Sequence, residues 1–276
     1  MDKNQNYFLL NGRTFDKISK TFSVTNLLVK NGKVSGIGYL PDDLDVPVYD
    51  LDRAYIFHNI TDSYSIKTPP SKEKTSDVVF EGVPDLDKLS ITTKGFSIPF
   101  PHQVIKPSEI HSFKPDNRIS FFIYPIQSKS DILLFEKLKQ ENPSSQLFGG
   151  VSWDYFNEKS NVLSSDKEFI SYGIKNGTLN WVSGNSENNS VSNALSNWIL
   201  KKIGTIEEFA LALISSNHSL LNIKPAGLTL FQKPNVLILK ENKQTSPTND
   251  KKSWDTIMTI HQGEIQKNTL SQQKAY

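Results

Sequence analysis

Five histidines, His58, His102, His111, His218 and His261, are the side chains best suited to hold a metal ion or move a proton near neutral pH. No pair stands at i and i+4, no HExxH string occurs and cysteine is absent, so helix-borne zinc sites, Cys-based zinc sites, thiol nucleophiles and disulfides are excluded. Each histidine also reads as an ordinary surface or hydrogen-bonded core residue. Asp62 follows a strand-like run; its carboxylate is suited to general-base work or to accepting the backbone amides of a turn. Lys94 beside Gly95 places a flexible point charge next to open backbone amides, a combination that takes phosphate, or simply a solvated loop lysine. Gly184-Asn185-Ser186 offers backbone groups to a ligand, or is the polar loop ahead of a helix. There is no P-loop, dinucleotide fingerprint or nucleophile elbow, and Gly36-Ile37-Gly38 lacks the third glycine and the following helix.

The 276 residues are 37% hydrophobic and 22% charged with 14 Gly and 14 Pro, which describes a folded protein of one or two domains and excludes disorder, collagen and coiled coil. Lys plus Arg number 31 against 29 Asp plus Glu, with no block of like charge, so electrostatics indicates neither a nucleic-acid nor a membrane partner. The 4 Trp, 9 Tyr and 16 Phe fall in strand-like runs without interleaved basic clusters, as core residues do. The N-terminus is polar, the apolar stretch Tyr7 to Leu10 is shorter than a signal-peptide core, and no run approaches the ~18 residues of a membrane span; a cytoplasmic protein is expected.

The elements that must position these residues form three zones. In the first, Tyr7 to Leu10 ends at Asn11-Gly12, and Asn26 to Lys30 meets Asn31-Gly32 before Lys33 to Gly38. Asn-Gly between such runs predicts hairpins, because a type I′ turn needs positive φ at both central residues. Val46 to Leu51 and Ala54 to Phe57 read as two further strands. The tail is built alike, with Asn235 to Lys240 and Trp254 to Ile260 as strands, a turn at Gln262-Gly263, then Glu264-Ile265. Between them strand-like and helix-like segments alternate, an α/β pattern. Ile119 to Tyr124 reads as a buried parallel strand, Ser130-Asp131 opens a helix carrying Ile132, Leu133, Phe135 and Leu138 on one face, and Gln146 to Phe148 leads a strand into Gly149-Gly150. Val191 to Leu200 and Thr205 to Ile214 are predicted helices, with Gly204 suited to a C′ cap and Thr205 to Glu208 to a capping box.

Asn11-Gly12-Arg13, Asn26 to Val34, Gly36-Ile37-Gly38 and Val48 to Leu51, followed at the far end by Ala226-Gly227-Leu228, Asn235 to Leu239 and Ile257 to Glu264, resemble in order and spacing the opening and closing strands of the amidohydrolases. The interior most resembles the N-acetylglucosamine-6-phosphate deacetylase family, through Val104 to Pro107 with Ile119 to Pro125, Asn176 to Leu179 with Val182 to Ser186, and Gly204 to Asn217. Pro101-His102-Gln103-Val104-Ile105 resembles that family's substrate-contact string. The resemblance implies a (β/α) barrel with a small β-sandwich, a homodimer, and a divalent metal held by imidazole and carboxylate groups with an Asp as general base.

At the family's ligand positions this sequence departs. The first motif aligns with His58 to Ile66, keeping Asp62 but placing Tyr64 and Ile66 where ligand types are expected; the glutamate motif aligns with Lys94, and the histidine of a Gly-His-Ser string with Val151. Residues 58–222 number about 165, against ~200–250 for a complete eightfold barrel. The expectation is an α/β protein: residues 58–222 as a shortened TIM-like barrel, residues 1–57 and 223–276 as a composite β-sandwich. It is expected to be inactive as a hydrolase, with no cofactor, and to bind an amino-sugar phosphate or a partner protein, with Asp62, Lys94, His102, Gly184 and Asn185 as ligand-binding candidates. Two alternatives stay open. One is an active deacetylase holding zinc or iron at a displaced site of Asp62, His102 and His218; the other is a pure interaction module pairing with a full-length deacetylase.

Overall fold

The computed structural model describes residues 5–38, 45–58, 79–81, 89–93, 96–100, 102–117, 120–156, 163–182, 191–221, 228–243 and 252–271. Its contacts divide the chain into two compact units, one from the described residues of Met1–Ile60 and Pro225–Tyr276, the other from those of Val78–Lys224. Among the described residues no helix is long and apolar enough to cross a membrane.

The first unit opens with β1 (Tyr7–Asp16), β2 (Thr21–Lys30), β3 (Lys33–Ile37), β4 (Val48–Asp50) and β5 (Tyr55–His58). The second contributes β6 (Val79–Glu81), β7 (Leu89–Thr93), β8 (Phe96–Phe100), β9 (His102–Ile105), β10 (Ser120–Ile123), α1 (Lys129–Glu141), β11 (Gln146–Ser152), α2 (Ser164–Lys175), β12 (Leu179–Val182), α3 (Val191–Leu200) and α4 (Ile206–Leu221). The chain then completes the first unit with β13 (Val236–Lys243), β14 (Lys252–His261) and β15 (Glu264–Asn268).

Strands from both chain ends make one sheet in the order β15-β14-β13-β5-β1-β2-β3, with β4 also on β1. Both halves line a common core that includes Tyr7, Leu9, Leu27, Ile56, Val236, Met258 and Ile260. Fully burying each such side chain stabilises by about 1.5–3 kcal/mol, so the shared apolar core ties the two chain ends into one sheet. The two hairpin turns that close it are alike. Asn31 and Gly32 have φ of 52° and 70°, Gln262 and Gly263 φ of 51° and 79°, the double left-handed conformation that the Asn-Gly signal predicts at the first of them. The turns abut, and the buried Tyr7 phenol donates to the Gly263 carbonyl at 3.2 Å.

Asn11-Gly12 is not a hairpin. It is a bulge inside a continuous β1, where the register with β2 shifts between Leu9 and Gly12. Strand β1 changes neighbours here, pairing in parallel first with β4 and then with β5. A Cβ on Gly12 would lie 2.4 Å from Ile56 Cδ1 and 2.8 Å from Leu51 Cδ1, so glycine serves a close approach rather than a turn. The kink is matched across the sheet by Asp52 and Arg53, both with positive φ, whose backbone returns to the bulge through Arg53 N–H to the Asn11 carbonyl at 2.9 Å.

In the second unit β9, β10, β11 and β12 form a parallel sheet in sequential order, and β6, β7 and β8 a separate antiparallel one. Sequential order with right-handed crossovers places the connecting helices on one face, as in an arc of a (β/α) barrel. A Cβ on Gly149 would meet Phe135 of α1, and Gly173 of α2 packs on Leu179, so Leu147, Gly149, Val151, Leu179 and Trp181 face the helices. Behind them Trp181, Trp198, Phe209 and Phe156 form one aromatic cluster, with ring centroids 5.1 to 6.4 Å apart along its contacts.

Helix α1 starts one residue before the predicted Ser130, because Ser128 is the N-cap: its Oγ accepts from Asp131 N–H at 3.1 Å and Asp131 Oδ2 accepts from Ser128 N–H at 2.9 Å. Thr205 and Glu208 make the expected capping box, though α4 runs on to Leu221. Gly204 is not the C′ cap of α3. Lys202 takes the left-handed conformation, φ 54°, and Ile203 N–H closes back on the Trp198 carbonyl at 3.0 Å. Gly204 is needed for space, since a Cβ there would lie 2.2 Å from Glu208 Oε2 and 3.0 Å from the Trp198 ring.

Candidate functional site

In parallel β/α sheets the chemistry sits where the strands end, because the following loops can converge there without interrupting the core. Here the strands end at Ile105, Ile123, Ser152 and Val182, with Lys106 next after β9 and Tyr124 next after β10. Alternation along the strands, fixed by Gly149 facing α1, puts Phe122, Phe148, Gly150, Ser152 and Asn180 on the face opposite the helices. That face is filled by rings. A Cβ on Gly150 would fall 2.2 Å from the Phe122 ring, and Tyr124 stacks on Phe122 at 5.7 Å with the planes 12° apart. Val151, aligned above with a ligand histidine, is fully buried on the helix side in register with Trp181; residues facing the other way at this level are Gly150 and Ser152. The short string is one residue out of phase with the pleat, and a one-residue slip exchanges the two faces.

Around the strand ends the polar groups are spent on structure. Asp131 Oδ2 accepts from the Gln127 and Ser128 amides, each at 2.9 Å, and Asp166 Oδ1 from the Lys129 amide at 2.8 Å. Trp153 Nε1 donates to the Trp181 carbonyl at 3.1 Å, and Tyr155 Oη to the Gln127 carbonyl at 2.9 Å. Burial, with the Asp166 and Asp131 carboxylates behind it, pushes the Tyr155 phenol well above its ordinary range, so this hydroxyl donates a hydrogen bond and is no base near neutral pH. Sequence reading missed Tyr155; its only signal is that it follows the end of a barrel-type strand.

The five candidate residues divide simply. Asp62, Lys94, Gly184 and Asn185 lie outside the described residues, as do Tyr64 and Ile66. His102 opens β9 in register with Ser120, at the N-terminal end of the sheet and one strand length from the end that carries Ile105. His218 lies within α4. His58 ends β5, buried, with Nε2 3.2 Å from the Phe15 carbonyl; burial lowers its pKa, partly opposed by that hydrogen bond.

The divalent metal implied by the resemblance needs imidazole or carboxylate donors that converge. Among the described residues no group of three His, Asp or Glu could hold a metal ion, and the donors at the strand ends are one phenol and one hydroxyl. The described residues therefore do not fit a hydrolytic metal centre.

No protein-family model and no curated protein sequence matches this chain. Solved structures do. A D-hydantoinase (dihydropyrimidinase) from Thermus sp. superposes with a TM-score of 0.66 at 7% identity, covering 97% of each chain. The L-hydantoinase (dihydropyrimidinase) from Arthrobacter aurescens gives 0.61 at 12%, covering 98% of this chain and 97% of that one. An amidohydrolase from Thermotoga maritima MSB8 gives 0.56 at 12%, covering 94% and 99%. At such identities the likeness is one of fold alone: over most of its length the chain folds like these hydantoinase and amidohydrolase structures.

Proposed function

We propose that this chain is an amidohydrolase-fold protein that acts by binding rather than by metal-assisted hydrolysis, with an amino-sugar phosphate as its ligand class. The observation that carries the first half is the composition of the strand ends: where a hydrolytic barrel converges imidazoles and carboxylates, the described strands end at Ile105, Ile123, Ser152 and Val182, and the face opposite the helices carries Phe122, Phe148 and, just past β10, Tyr124. This aromatic floor, with Phe122 fully buried and Tyr124 nearly so, offers no imidazole or carboxylate to hold a Lewis acid. The choice of an amino-sugar phosphate rests on the sequence resemblance at Asn176 to Leu179 and Pro101 to Ile105.

The test is metal content by mass spectrometry on protein expressed with zinc and iron and purified without chelators, alongside turnover of N-acetylglucosamine 6-phosphate and of a dihydropyrimidine. The expected result is far less than one metal per chain, no turnover of either compound, and saturable binding of N-acetylglucosamine 6-phosphate. Stoichiometric metal with turnover would overturn the reading in favour of an active hydrolase.

A further inference from the structure

A second region of the molecule has the makings of a ligand site, and it lies wholly within the sheet unit. A cleft of about 400 Å³ is lined by Arg13, Asp52, Arg53, Ala54, Tyr55, Lys240 and Glu241, a size in the range of small-molecule sites. Its centre is Arg13. The guanidinium is half-buried, lies 5.1 Å over the Tyr55 ring and donates through Nη1 to Tyr55 Oη at 2.7 Å. Tyr55 is itself wedged edge-on by Phe22 at 4.9 Å and Trp254 at 5.3 Å, so the arginine is held rather than solvated. Lys240 is fixed at the rim by Asp52, Nζ to Oδ2 at 2.8 Å.

Arg13 and Arg53 differ from Lys240 in that, among the described residues, neither has a carboxylate within ion-pair distance. A half-buried guanidinium keeps most of its five N–H donors for whatever enters, and its natural partner is a planar or tetrahedral oxyanion bound through two of them. Arg53 is also conformationally out of place. It occupies φ 60° directly after Asp52 at φ 45°, a pair of positions that Asn and Gly fill with less strain. The backbone kink explains the conformation, matching the Gly12 bulge, but not the choice of arginine, whose exposed side chain lines the cleft. Three cations face two carboxylates here, and one of those is already engaged by Lys240.

We propose that this cleft binds the oxyanion terminus, phosphate or carboxylate, of a small molecule, with Arg13 as the rigid fork and Arg53 as the second cation. The site does not depend on the reading of the barrel strands above. The experiment is thermal unfolding of the full chain in inorganic phosphate or in acetate, against chloride at equal ionic strength. Expected is a concentration-dependent rise in Tm with one or both anions, the larger rise identifying the preferred oxyanion. In Arg53→Asn, which removes the charge and tolerates the positive φ, and in Arg13→Gln, the apparent Kd should weaken about tenfold or more. Lys17→Gln, on the exposed β1–β2 turn, should leave it unchanged. No anion-specific rise in the wild-type chain, or an unchanged Kd in a folded Arg53→Asn variant, would overturn the proposal.

Discussion

The packing of Phe122 against Gly150 can be broken by one methyl group. In Gly150→Ala the new Cβ would stand 2.2 Å from Phe122 Cζ and 2.7 Å from Cε2, where ordinary contacts begin near 3.4 Å. The ring must move by roughly 1 Å, and it is fully buried with Tyr124 stacked on it, so there is no open side to move toward. Overpacking of this kind costs about 1–3 kcal/mol, offset by about 0.4–1 kcal/mol because alanine narrows the unfolded ensemble, for a net loss near ~1–2 kcal/mol. Phe122→Leu alone should cost about 1–3 kcal/mol through the cavity it leaves. In the double variant the methyl enters that cavity, and the two losses should fall short of their sum by at least ~0.5 kcal/mol. Urea unfolding followed by tryptophan fluorescence measures all four proteins, since Trp153, Trp181 and Trp198 report on this unit. Additivity within about 0.3 kcal/mol would refute the assignment of Gly150 and Phe122 to one face, and with it the aromatic floor on which the proposed function stands.

Two further outcomes concern the sheet unit, the second with a glycine of the other unit as its control. Burial disfavours the charged form of His58, so its folded pKa lies below the unfolded 6.5; its contribution is complete above pH 6.5 and is lost as pH falls, at no more than about 1.4 kcal/mol per unit, until the folded group itself takes up the proton. His58→Gln, which keeps a donor for the Phe15 carbonyl, should therefore lose less stability than the wild type between pH 7.5 and 5.5 in chemical denaturation, and an identical pH dependence would rule this out. Gly263→Ala and Gly177→Ala share a positive φ, 79° and 78°, yet the first would drive a Cβ to within 1.8 Å of the Gly32 carbonyl while the second meets nothing within 4 Å. Circular-dichroism melts should show Gly177→Ala costing about 1 kcal/mol, the conformational part alone, and Gly263→Ala costing at least ~1 kcal/mol more; equal losses would mean the two hairpin turns do not abut.

Local chemistry was legible in the sequence wherever the information is local. The left-handed pair at Asn31-Gly32, the capping box at Thr205, the buried run at Ser120 to Ile123 and the bounds of α3 all follow from residue types within a few positions of one another. The same signals misled where a distant strand decides. Asn11-Gly12 has the composition of a turn, but β1 continues through it, because Leu51 and Ile56, some forty residues on, pack where a side chain would be. Lys202 rather than Gly204 bends left-handed because the closing hydrogen bonds of α3, Lys202 N–H to the Ile199 carbonyl and Ile203 N–H to the Trp198 carbonyl, put Lys202 at C′.

The candidate site divides along the same line. From the sequence alone came the absence of cysteine and the two β-rich ends around an α/β middle, because these are properties of residue identity and order. Tertiary structure decided what each residue faces. It turned Val151 toward the helices, set Gly150 under Phe122, committed Asp131 and Asp166 to backbone amides, and gathered Arg13, Arg53, Tyr55 and Lys240, separated by up to 227 positions, around one cleft. The reason is geometric: the pleat sends neighbours to opposite faces, so a side chain's surroundings depend on strand register and on partners remote in the chain, which no short window of sequence contains.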